Sequence, residues 1–140
     1  MRDYLFSDIS IGLEEQFSVV VDEEKMNYFA KLSGDINPLH MNNDFAKERG
    51  FGQRVVYGML VSSFYSTLVG VYLPGENALL QDISIRFHGV VCIGDSLVVT
   101  GKVEGIDERF KRIKIKSTIR NAQGKLVSTA IIDVGFTEKK

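Results

Sequence analysis

The sequence predicts an α+β fold in which an antiparallel β-sheet wraps around one long apolar helix. Two observations support this prediction. From residue 78 onward the apolar residues recur with a period of two, which is typical of strands that bury one face. Before them, residues 56–71 form the only long apolar helical segment in the sequence. Because a sheet with one apolar face needs a cover, we expect this helix to lie against the sheet.

Length and composition indicate one compact domain over residues 1–140. A chain of 140 residues, 44% hydrophobic and 25% charged, is long enough to bury a single core and too apolar to be disordered. It carries 17 basic against 18 acidic side chains, for a formal net charge of −1. This balance argues against a nucleic-acid partner, because electrostatic binding to phosphates requires a basic surplus or a clustered basic face.

The first elements are a strand and an amphipathic helix. Residues 16–21 (QFSVVV) have the β-branched enrichment of a short strand. Asp22 then predicts a helix N-cap, and apolar residues at helical spacing follow it. Gly34 is a typical helix stop, because glycine adopts the left-handed conformation easily. The sequence therefore predicts a helix over 23–33.

A loop and a short helix come next. Residues 35–42 are predicted to form a folded loop, because Pro38 disfavours a continuous helix through them. Asn43 is then predicted to cap a short helix over 44–49, which Gly50 ends.

Residues 55–73 contain no charged side chain, and two interpretations are open. The segment is near the length that spans a bilayer, and it also suits the buried helix of a soluble domain. Its serines and glycines lower its hydrophobicity below that of a typical spanning helix, so we expect a buried helix and no membrane partner. Small residues recur at every fourth position: Gly58, Ser62, Ser66 and Gly70. On a helix they form one stripe, where a backbone or a ligand can approach closely.

The second half predicts four consecutive strands in a meander-like antiparallel sheet. Residues typical of turns separate the strands at 94–95, 107–109 and 121–124. In the later strands isoleucines alternate with charged residues such as Lys114 and Lys116, which predicts one polar, solvated face.

Cysteine and histidine usage predicts a cytoplasmic protein without a metal site. The single cysteine, Cys92, cannot form an internal disulfide, and the only histidines are His40 and His88. A structural zinc site needs four such ligands, so we expect none. The first residues carry acids where a signal peptide carries a basic region and an apolar run.

Polar functional groups concentrate in residues 33–40, SGDINPLH, where Asp35 and His40 stand five positions apart. The common phosphate-loop, nucleophile-elbow and zinc-helix motifs are absent from the sequence. Histidine suits proton transfer near neutral pH, and a carboxylate beside it can take a proton from water or orient the imidazole. With a backbone N–H aimed at a carbonyl oxygen, the pair would suffice to add or remove water across a polarised double bond. Taken alone, such a pair is more often a turn aspartate and a structural histidine than a catalytic pair.

A longer string adds specificity to this pair. Residues 29–60, FAKLSGDINPLHMNNDFAKERGFGQRVVYGML, resemble the MaoC-like (R)-specific enoyl-CoA hydratases, whose motif has the form D-x-N-P-L-H, followed later by a helix that opens with H-G-M-L. Further similarity runs through residues 73–75, 85–87 and 93–95, so the resemblance covers nearly the whole domain. It implies the hotdog fold, in which an antiparallel sheet wraps around a long central helix.

The resemblance also implies roles for individual residues. Asp35 and His40 match the catalytic pair, which holds one water, removes its proton for attack at the β-carbon and delivers a proton to the α-carbon. Gly58 matches the glycine whose backbone N–H binds the thioester oxygen, a position suited to stabilising an enolate at a helix start. Asn37 matches a position that shapes the loop, and Ser66 matches a serine near the pocket, with a supporting role.

One position departs from the family pattern. Where the family commonly has a histidine before the helix glycine, this chain has Tyr57. The oxyanion donor is a backbone group, so activity is compatible with this change. We expect Tyr57 to act in a supporting or substrate-binding position and to alter the polarity of the pocket.

As a whole, the resemblance implies a homodimeric hydratase that converts trans-2-enoyl-CoA into (R)-3-hydroxyacyl-CoA without a metal or an organic cofactor. Its substrate partner is then an acyl-CoA or an acyl-carrier-protein thioester, bound in a tunnel at the subunit interface. Three alternatives remain open: a 3-hydroxyacyl-carrier-protein dehydratase, a hotdog acyl-CoA thioesterase, and a non-catalytic acyl-CoA-binding hotdog subunit.

Overall fold

The computed structural model describes residues 1–139 and contains one five-stranded antiparallel sheet with helices on one side. A short 3-10 helix, Phe6–Asp8, precedes the first strand. The main elements are β1 (Glu14–Val20), α1 (Glu23–Ser33), α2 (Pro38–Met41), α3 (Asn43–Glu48), α4 (Gly58–Thr67), β2 (Ala78–Phe87), β3 (Ser96–Asp107), β4 (Arg112–Asn121) and β5 (Leu126–Phe136).

The core lies between α4 and one face of the sheet. Leu60, Val61 and Tyr65 of α4 are buried, as are the isoleucines that the sheet turns toward the helix. The fully buried members of that sheet face include Ile113, Ile115, Ile119 and Ile132. This arrangement is the predicted one, because the alternating strands place their apolar side chains on a single face and the apolar helix covers it.

The predicted bounds of the central helix need correction. The helix was expected over 56–71, but α4 begins at Gly58, and a π-helical turn, Leu68–Tyr72, continues it. Val55 and Val56 are held outside the helix because they bond to residues 91–92: the Val56 N–H donates to the Val91 carbonyl at 2.9 Å. No helix within residues 1–139 is long and apolar enough to span a membrane.

The predicted meander of four strands is wrong for β2. The sheet order is β1-β3-β4-β5-β2, so only β3, β4 and β5 pair in sequence, and β2 pairs with β5 at the far edge. The connection from β2 to β3 explains this order. Residues 88–95 cross the start of α4, where residues 91–92 bond to residues 55–56. At the end of this connection the Gly94 N–H donates to the Val21 carbonyl. Val21 directly follows β1, so β3 begins beside β1 and pairs with it.

Helix α1 follows the prediction, whereas the next segment does not. Asp22 caps α1 by accepting from the Lys25 N–H at 2.9 Å, and Gly34 ends it with a φ of 75°. The predicted loop over 35–42 contains α2, because Pro38 is its first residue, where the missing N–H costs no intrahelical bond.

The cap of α3 also shifts by one residue from the prediction. Asn42, not Asn43, caps this helix, with its amide oxygen accepting from the Phe45 N–H at 3.0 Å. The Asn43 amide oxygen instead accepts from the Arg54 N–H at 2.9 Å, so this side chain ties α3 to the segment that precedes α4.

The close packing of the helix on the sheet requires a glycine in β3. A Cβ atom at Gly101 would lie 2.7 Å from a methyl carbon of Leu68, closer than Cβ contacts occur in proteins. Gly101 therefore lets the end of the central helix reach the sheet, which fixes the depth at which α4 lies.

Candidate active site

Asp35 is positioned by local hydrogen bonds at the end of α1. The Ser33 hydroxyl donates to the Phe29 carbonyl at 2.7 Å and accepts from the Asp35 N–H at 3.1 Å. Carboxylate oxygen Oδ1 of Asp35 accepts from the Asn37 N–H at 3.1 Å, forming an Asx turn. The Asn37 side chain in turn caps α2 through the Leu39 N–H. The Asp35 side chain is thus directed by two consecutive short turns and stays exposed.

His40 is held from the opposite side by the segment before α4. Its ring atom Nδ1 lies 2.7 Å from the Val55 carbonyl oxygen. Because a carbonyl can only accept, Nδ1 carries a proton, and Nε2 of the neutral ring holds the free lone pair. The Arg54 guanidinium donates from Nε to the His40 carbonyl at 2.7 Å. Adjacent residues therefore fix the ring and the backbone of His40 and leave Nε2 for proton transfer.

Tyr57 connects these two groups. Its side chain is only 1% exposed, and its hydroxyl donates to the Asp35 carbonyl at 2.6 Å. The hydroxyl oxygen also lies 3.3 Å from the Met41 sulfur. The ring stacks on the His40 imidazole, with the ring centroids 4.2 Å apart, and tilts against Phe29 at 4.7 Å. One buried side chain thus touches the backbone of Asp35 and the ring of His40.

The hydroxyl of Tyr57 remains a donor at neutral pH. Burial raises its pKa above the usual value, the nearby charge of Asp35 raises the pKa further, and Arg54 opposes both effects. A raised phenol pKa keeps the proton on the oxygen, so the hydrogen bond to Asp35 persists across the physiological range.

Gly58 lies directly after Tyr57 as the first residue of α4. Its N–H has no carbonyl one turn earlier to bond, as is general for the first amides of a helix, and the helix field there favours negative charge. An added Cβ at Gly58 would lie 3.1 Å from the ring of Phe87. The aromatic ring of Phe87 therefore packs closely over this glycine.

These residues line a common cavity of about 300 Å³, here called the reaction cavity. Its lining comprises Phe29, Ser33, Asp35, His40, Tyr57, Gly58, Met59 and Phe87. It thus contains a carboxylate, an imidazole and a helix N-terminus within one concave surface. These groups can hold a water and polarise a carbonyl oxygen, the requirements for adding water to a conjugated double bond.

A second, apolar cavity of about 160 Å³ adjoins the first. It shares His40, Gly58 and Phe87 with the reaction cavity. The remaining lining is Val55, Val56, Val61, Gly89, Val90, Val91 and Val127. Sequence reasoning did not assign Phe87 to the site, because strand periodicity placed it simply as one more residue of a sheet face.

Ser66 lies apart from this group. It is exposed on α4, two turns beyond Gly58, and it does not line either of the two cavities. The small-residue stripe therefore divides in this structure: Ser62 is buried at 6% exposure and donates to the Gly58 carbonyl at 3.0 Å, whereas Ser66 faces outward.

A further depression, of about 490 Å³, lies on the outer face of β1, β3 and β4. Lys102, Lys116, Glu14 and Glu104 line it together with threonines. It holds both charge signs and lies on the opposite face of the sheet from α4, as expected for a solvated strand face. Nearby, Lys114 pairs with Asp133 at 3.3 Å across the strands.

Comparison with known proteins identifies the family. The sequence profile of the MaoC-like domain family matches residues 9–124 of this chain. The chain belongs to the MaoC-like family. This MaoC-like chain is 35% identical over 124 residues to an (R)-specific enoyl-CoA hydratase of Rhodospirillum rubrum, covering 89% of this chain and 85% of that protein. It is 29% identical over 118 residues to a 3-hydroxybutyryl-CoA dehydratase of Methylorubrum extorquens, covering 84% and 75% respectively.

Solved structures that are similar to this MaoC-like chain have the same architecture. The unliganded R-hydratase from Pseudomonas aeruginosa superposes with a TM-score of 0.89 at 25% identity, covering 96% of this chain and 86% of that one. The (R)-hydratase of Aeromonas caviae superposes with a TM-score of 0.87 at 29% identity, covering 91% and 96%. The predicted α+β hotdog fold is therefore confirmed.

Proposed function

We propose that this MaoC-like protein is an (R)-specific enoyl-CoA hydratase over residues 1–140, adding water reversibly to trans-2-enoyl-CoA to give (R)-3-hydroxyacyl-CoA. One observation carries the proposal: the Asp35 carboxylate and the His40 imidazole line one cavity at the start of α4. Relatives at 29–35% identity, named as hydratases and dehydratases of this substrate class, agree with it.

In the proposed reaction, Asp35 and His40 hold one water between them. The water oxygen bonds to the β-carbon while one of its protons passes to the pair, and the pair then delivers a proton to the α-carbon. The C=C π bond and one O–H bond of the water break, and one C–O bond and one C–H bond form. The pair gives up the proton that it took, so it returns to its starting state. Since both transfers come from the same wall of the cavity, OH and H add to the same face. Nε2 of His40 suits this work because Nδ1 is committed to Val55.

Gly58 supplies the electrostatic part of the proposed mechanism. Addition at the β-carbon moves negative charge onto the thioester oxygen. The backbone N–H of Gly58, aided by the positive end of the α4 helix dipole, stabilises that charge. The substrate thioester therefore lies with its oxygen at Gly58 and its β-carbon toward His40.

The test is a hydration assay with the purified full chain. We expect crotonyl-CoA to lose its conjugated-thioester absorbance in the presence of the protein, with (R)-3-hydroxybutanoyl-CoA as the product. An inert protein on enoyl-CoAs of several lengths would contradict the proposal. Release of free CoA without hydration would instead identify a thioesterase.

Tyr57→Phe removes one hydroxyl and leaves the ring on His40. We expect kcat for crotonyl-CoA to fall roughly 3–10-fold, the equivalent of one neutral hydrogen bond in transition-state positioning, with KM within about twofold. The reason is that Asp35 loses the donor that holds its carbonyl. Steady-state kinetics measure this split between kcat and KM.

Tyr28→Phe is the matched control, because it also removes a tyrosine hydroxyl hydrogen bond, here an exposed one to Glu24. We expect its kcat to equal that of the unmodified protein. Equal kcat values for both variants would refute the positioning role of Tyr57, and equal thermal unfolding would show that stability does not explain a difference.

We further propose that the chain forms a homodimer. Among residues 1–139, β2 lies at the edge of the sheet and pairs with β5 alone of the strands. Leu79 and Leu80 of β2 are 50% and 44% exposed, and the pairing register with β5 shifts directly after Leu80. Long exposed edges with apolar side chains favour pairing with another chain. Ser66 and the exposed Met59 lie on the uncovered face of α4, where a second copy would complete the pocket.

Light scattering with size-exclusion chromatography tests the dimer. We expect a mass near twice 15.7 kDa for the unmodified chain, and a shift toward the monomer for Leu80→Glu. Ile11→Glu, at 62% exposure before β1, is the control and is expected to stay dimeric. A monomeric unmodified chain would contradict the proposal.

We also propose a cytoplasmic location, since Cys92 is a free thiol.

A further inference from the structure

Arg54 contacts His40 without lining the reaction cavity. Its guanidinium donates from Nε to the His40 carbonyl at 2.7 Å, and its side chain is only 14% exposed. Neither the reaction cavity nor the adjoining apolar cavity has Arg54 in its lining. Charged side chains are seldom buried unless they are paired. We therefore expect this arginine to serve the groups that it contacts.

Helix α2, which carries His40, is too short to hold the imidazole by itself. It consists of one turn, Pro38–Met41, and isolated helices of this length are unstable in water. The carbonyls of a last helical turn also have no partner within the helix. The direction of the His40 ring therefore depends on bonds from outside α2.

Arg54 and Val55 provide three such bonds. The Val55 N–H donates to the Leu39 carbonyl at 3.1 Å, and the Val55 carbonyl accepts from Nδ1 of His40 at 2.7 Å. The third bond is the one from Arg54 to the His40 carbonyl. The residue 55 partner in the first two bonds is a backbone group, whereas Arg54 acts through its side chain. A substitution at position 54 can therefore remove the third bond selectively.

Arg54 is itself held at both ends. Its N–H donates to Oδ1 of Asn43 at 2.9 Å, which fixes the backbone from which the side chain starts. Its Nη1 lies 3.4 Å from Oε1 of Glu23 in the first turn of α1. The Glu23 side chain is 71% exposed, so this ion pair contributes little. The shielded bond from Nε to His40 is the stronger contact, because a charged donor strengthens a hydrogen bond that water does not screen.

This bond affects which nitrogen of the His40 ring carries the proton. The Val55 carbonyl keeps the proton on Nδ1 only while α2 stays against the segment before α4. If α2 moves away, the bond to Nδ1 lengthens, and the neutral ring can carry its proton on either nitrogen. A ring with its proton on Nε2 cannot accept a proton from water at that atom. Loss of the Arg54 donor thus lowers the fraction of molecules in which His40 can act.

From these observations we propose that Arg54 is a positioning residue, whose guanidinium holds α2 in place and thereby keeps the proton of His40 on Nδ1. The inference rests on the proposed function for its consequence in catalysis, because it takes His40 as the group that accepts the water proton. It goes beyond that function by naming a residue outside the cavity that determines which ring nitrogen is free.

The test uses three substitutions that separate the donor from the charge. Arg54→Met keeps the length of the side chain and removes the donor. Arg54→Gln removes the charge but places an amide nitrogen as many bonds from the backbone as Nε of arginine. Arg54→Lys keeps the charge, with its ammonium group one bond farther out.

Steady-state hydration of crotonyl-CoA is the first measurement. In Arg54→Met we expect kcat to fall at least about tenfold, with KM within about twofold, because substrate binding does not involve Arg54. In Arg54→Gln we expect kcat to stay within about threefold of the unmodified chain. In Arg54→Lys we expect kcat to lie at least about threefold below that of Arg54→Gln, because the ammonium does not coincide with the position of Nε.

Nitrogen NMR of the imidazole rings is the second measurement, and it does not depend on the reaction. His40 and His88 are the only histidines of the chain, so their signals can be assigned, and His88 serves as the internal reference. At about pH 8.5, above the ordinary histidine pKa, the signals distinguish a ring protonated on Nδ1 from a mixture of tautomers. For His40 we expect the Nδ1-protonated pattern in the unmodified chain and in Arg54→Gln, and a mixture in Arg54→Met.

Arg49→Met is the matched control, because it makes the same substitution at an exposed arginine nearby. The Arg49 guanidinium lies over the Phe45 ring at 4.4 Å, at the end of α3. We expect its kcat and its His40 signals to equal those of the unmodified chain. Circular dichroism shows whether each variant is folded.

The outcomes separate this inference from the proposed function. A full kcat or unchanged His40 signals in Arg54→Met overturn the positioning role and leave the hydratase proposal intact. A kcat of Arg54→Lys above that of Arg54→Gln also overturns it, because the charge and not the donor would then be responsible. That comparison decides the question if Arg54→Met does not fold. If the unmodified chain hydrates no enoyl-CoA, the hydratase proposal fails, and the NMR signals alone support or overturn the effect of Arg54 on His40.

Discussion

His40→Ala and Asp35→Asn are each expected to lower kcat for crotonyl-CoA hydration at least about 10²-fold, the scale of a lost general acid–base group. His40→Ala removes the lone pair at Nε2, to which the water proton passes. Asp35→Asn keeps the shape of the side chain and an oxygen that can accept from the Asn37 N–H, but it removes the negative charge beside the water. The absorbance assay with crotonyl-CoA measures both losses.

The chain offers a matched control for each of these substitutions. His88→Ala removes the other histidine, which is exposed and bonds Thr129 through Nε2 at 2.8 Å. Asp44→Asn neutralises another exposed carboxylate in the first turn of α3. Both controls are expected to retain full activity. If His40→Ala or Asp35→Asn hydrates crotonyl-CoA as fast as its control, the assignment of the catalytic pair is wrong.

Gly58→Pro is expected to lower kcat about 10²–10³-fold, the effect of removing one oxyanion donor. Proline eliminates the N–H and is tolerated at the first position of a helix, which Gly58 occupies. Tyr57, the preceding residue, already has φ −53° and ψ 127°, outside the α region that a following proline disfavours. The substitution therefore removes the donor with little change in the backbone.

Gly58→Ala is the control, because it keeps the N–H and adds a Cβ. That Cβ meets the Phe87 ring at 3.1 Å, so a smaller loss, of up to about tenfold, is expected from crowding. Steady-state kinetics and circular dichroism on both variants measure the difference. Equal activity of the alanine and proline variants would show that the N–H does not stabilise the transition state.

The local elements could be predicted because short-range chemistry determines them. The bounds 23–33 of α1 follow from Asp22 as an N-cap and Gly34 as a stop. The strands could be predicted because apolar and polar side chains alternate along them. This alternation reflects the burial of one face and does not depend on which strand is the pairing partner. The loop predicted over 35–42 is wrong for a local reason as well: proline disfavours the interior of a helix but is tolerated at its first position, which Pro38 occupies in α2.

The sheet order and the contacts of Tyr57 depend on distant residues, and no local pattern reports them. β2 pairs with β5 because residues 88–95 lie across the start of α4, a path set by bonds to residues 55–56 and Val21. Likewise the sequence motif indicates Asp35 and His40, which lie close together in the chain. The hydrogen bond from Tyr57 to the Asp35 carbonyl spans 22 positions, and no short motif predicts it. Sequence reasoning found Tyr57 only as a departure from the family pattern.

The connection between β2 and β3 has a consequence for how proteins of this architecture diverge. Residues 89–91 line the apolar cavity beside the reaction cavity, while the strands on either side are fixed by their own pairing, β2 with β5 and β3 with β1. Mutations in this connection can therefore reshape the apolar cavity without altering the register of a strand. The shape of this cavity and the register of the sheet therefore depend on different residues of the chain.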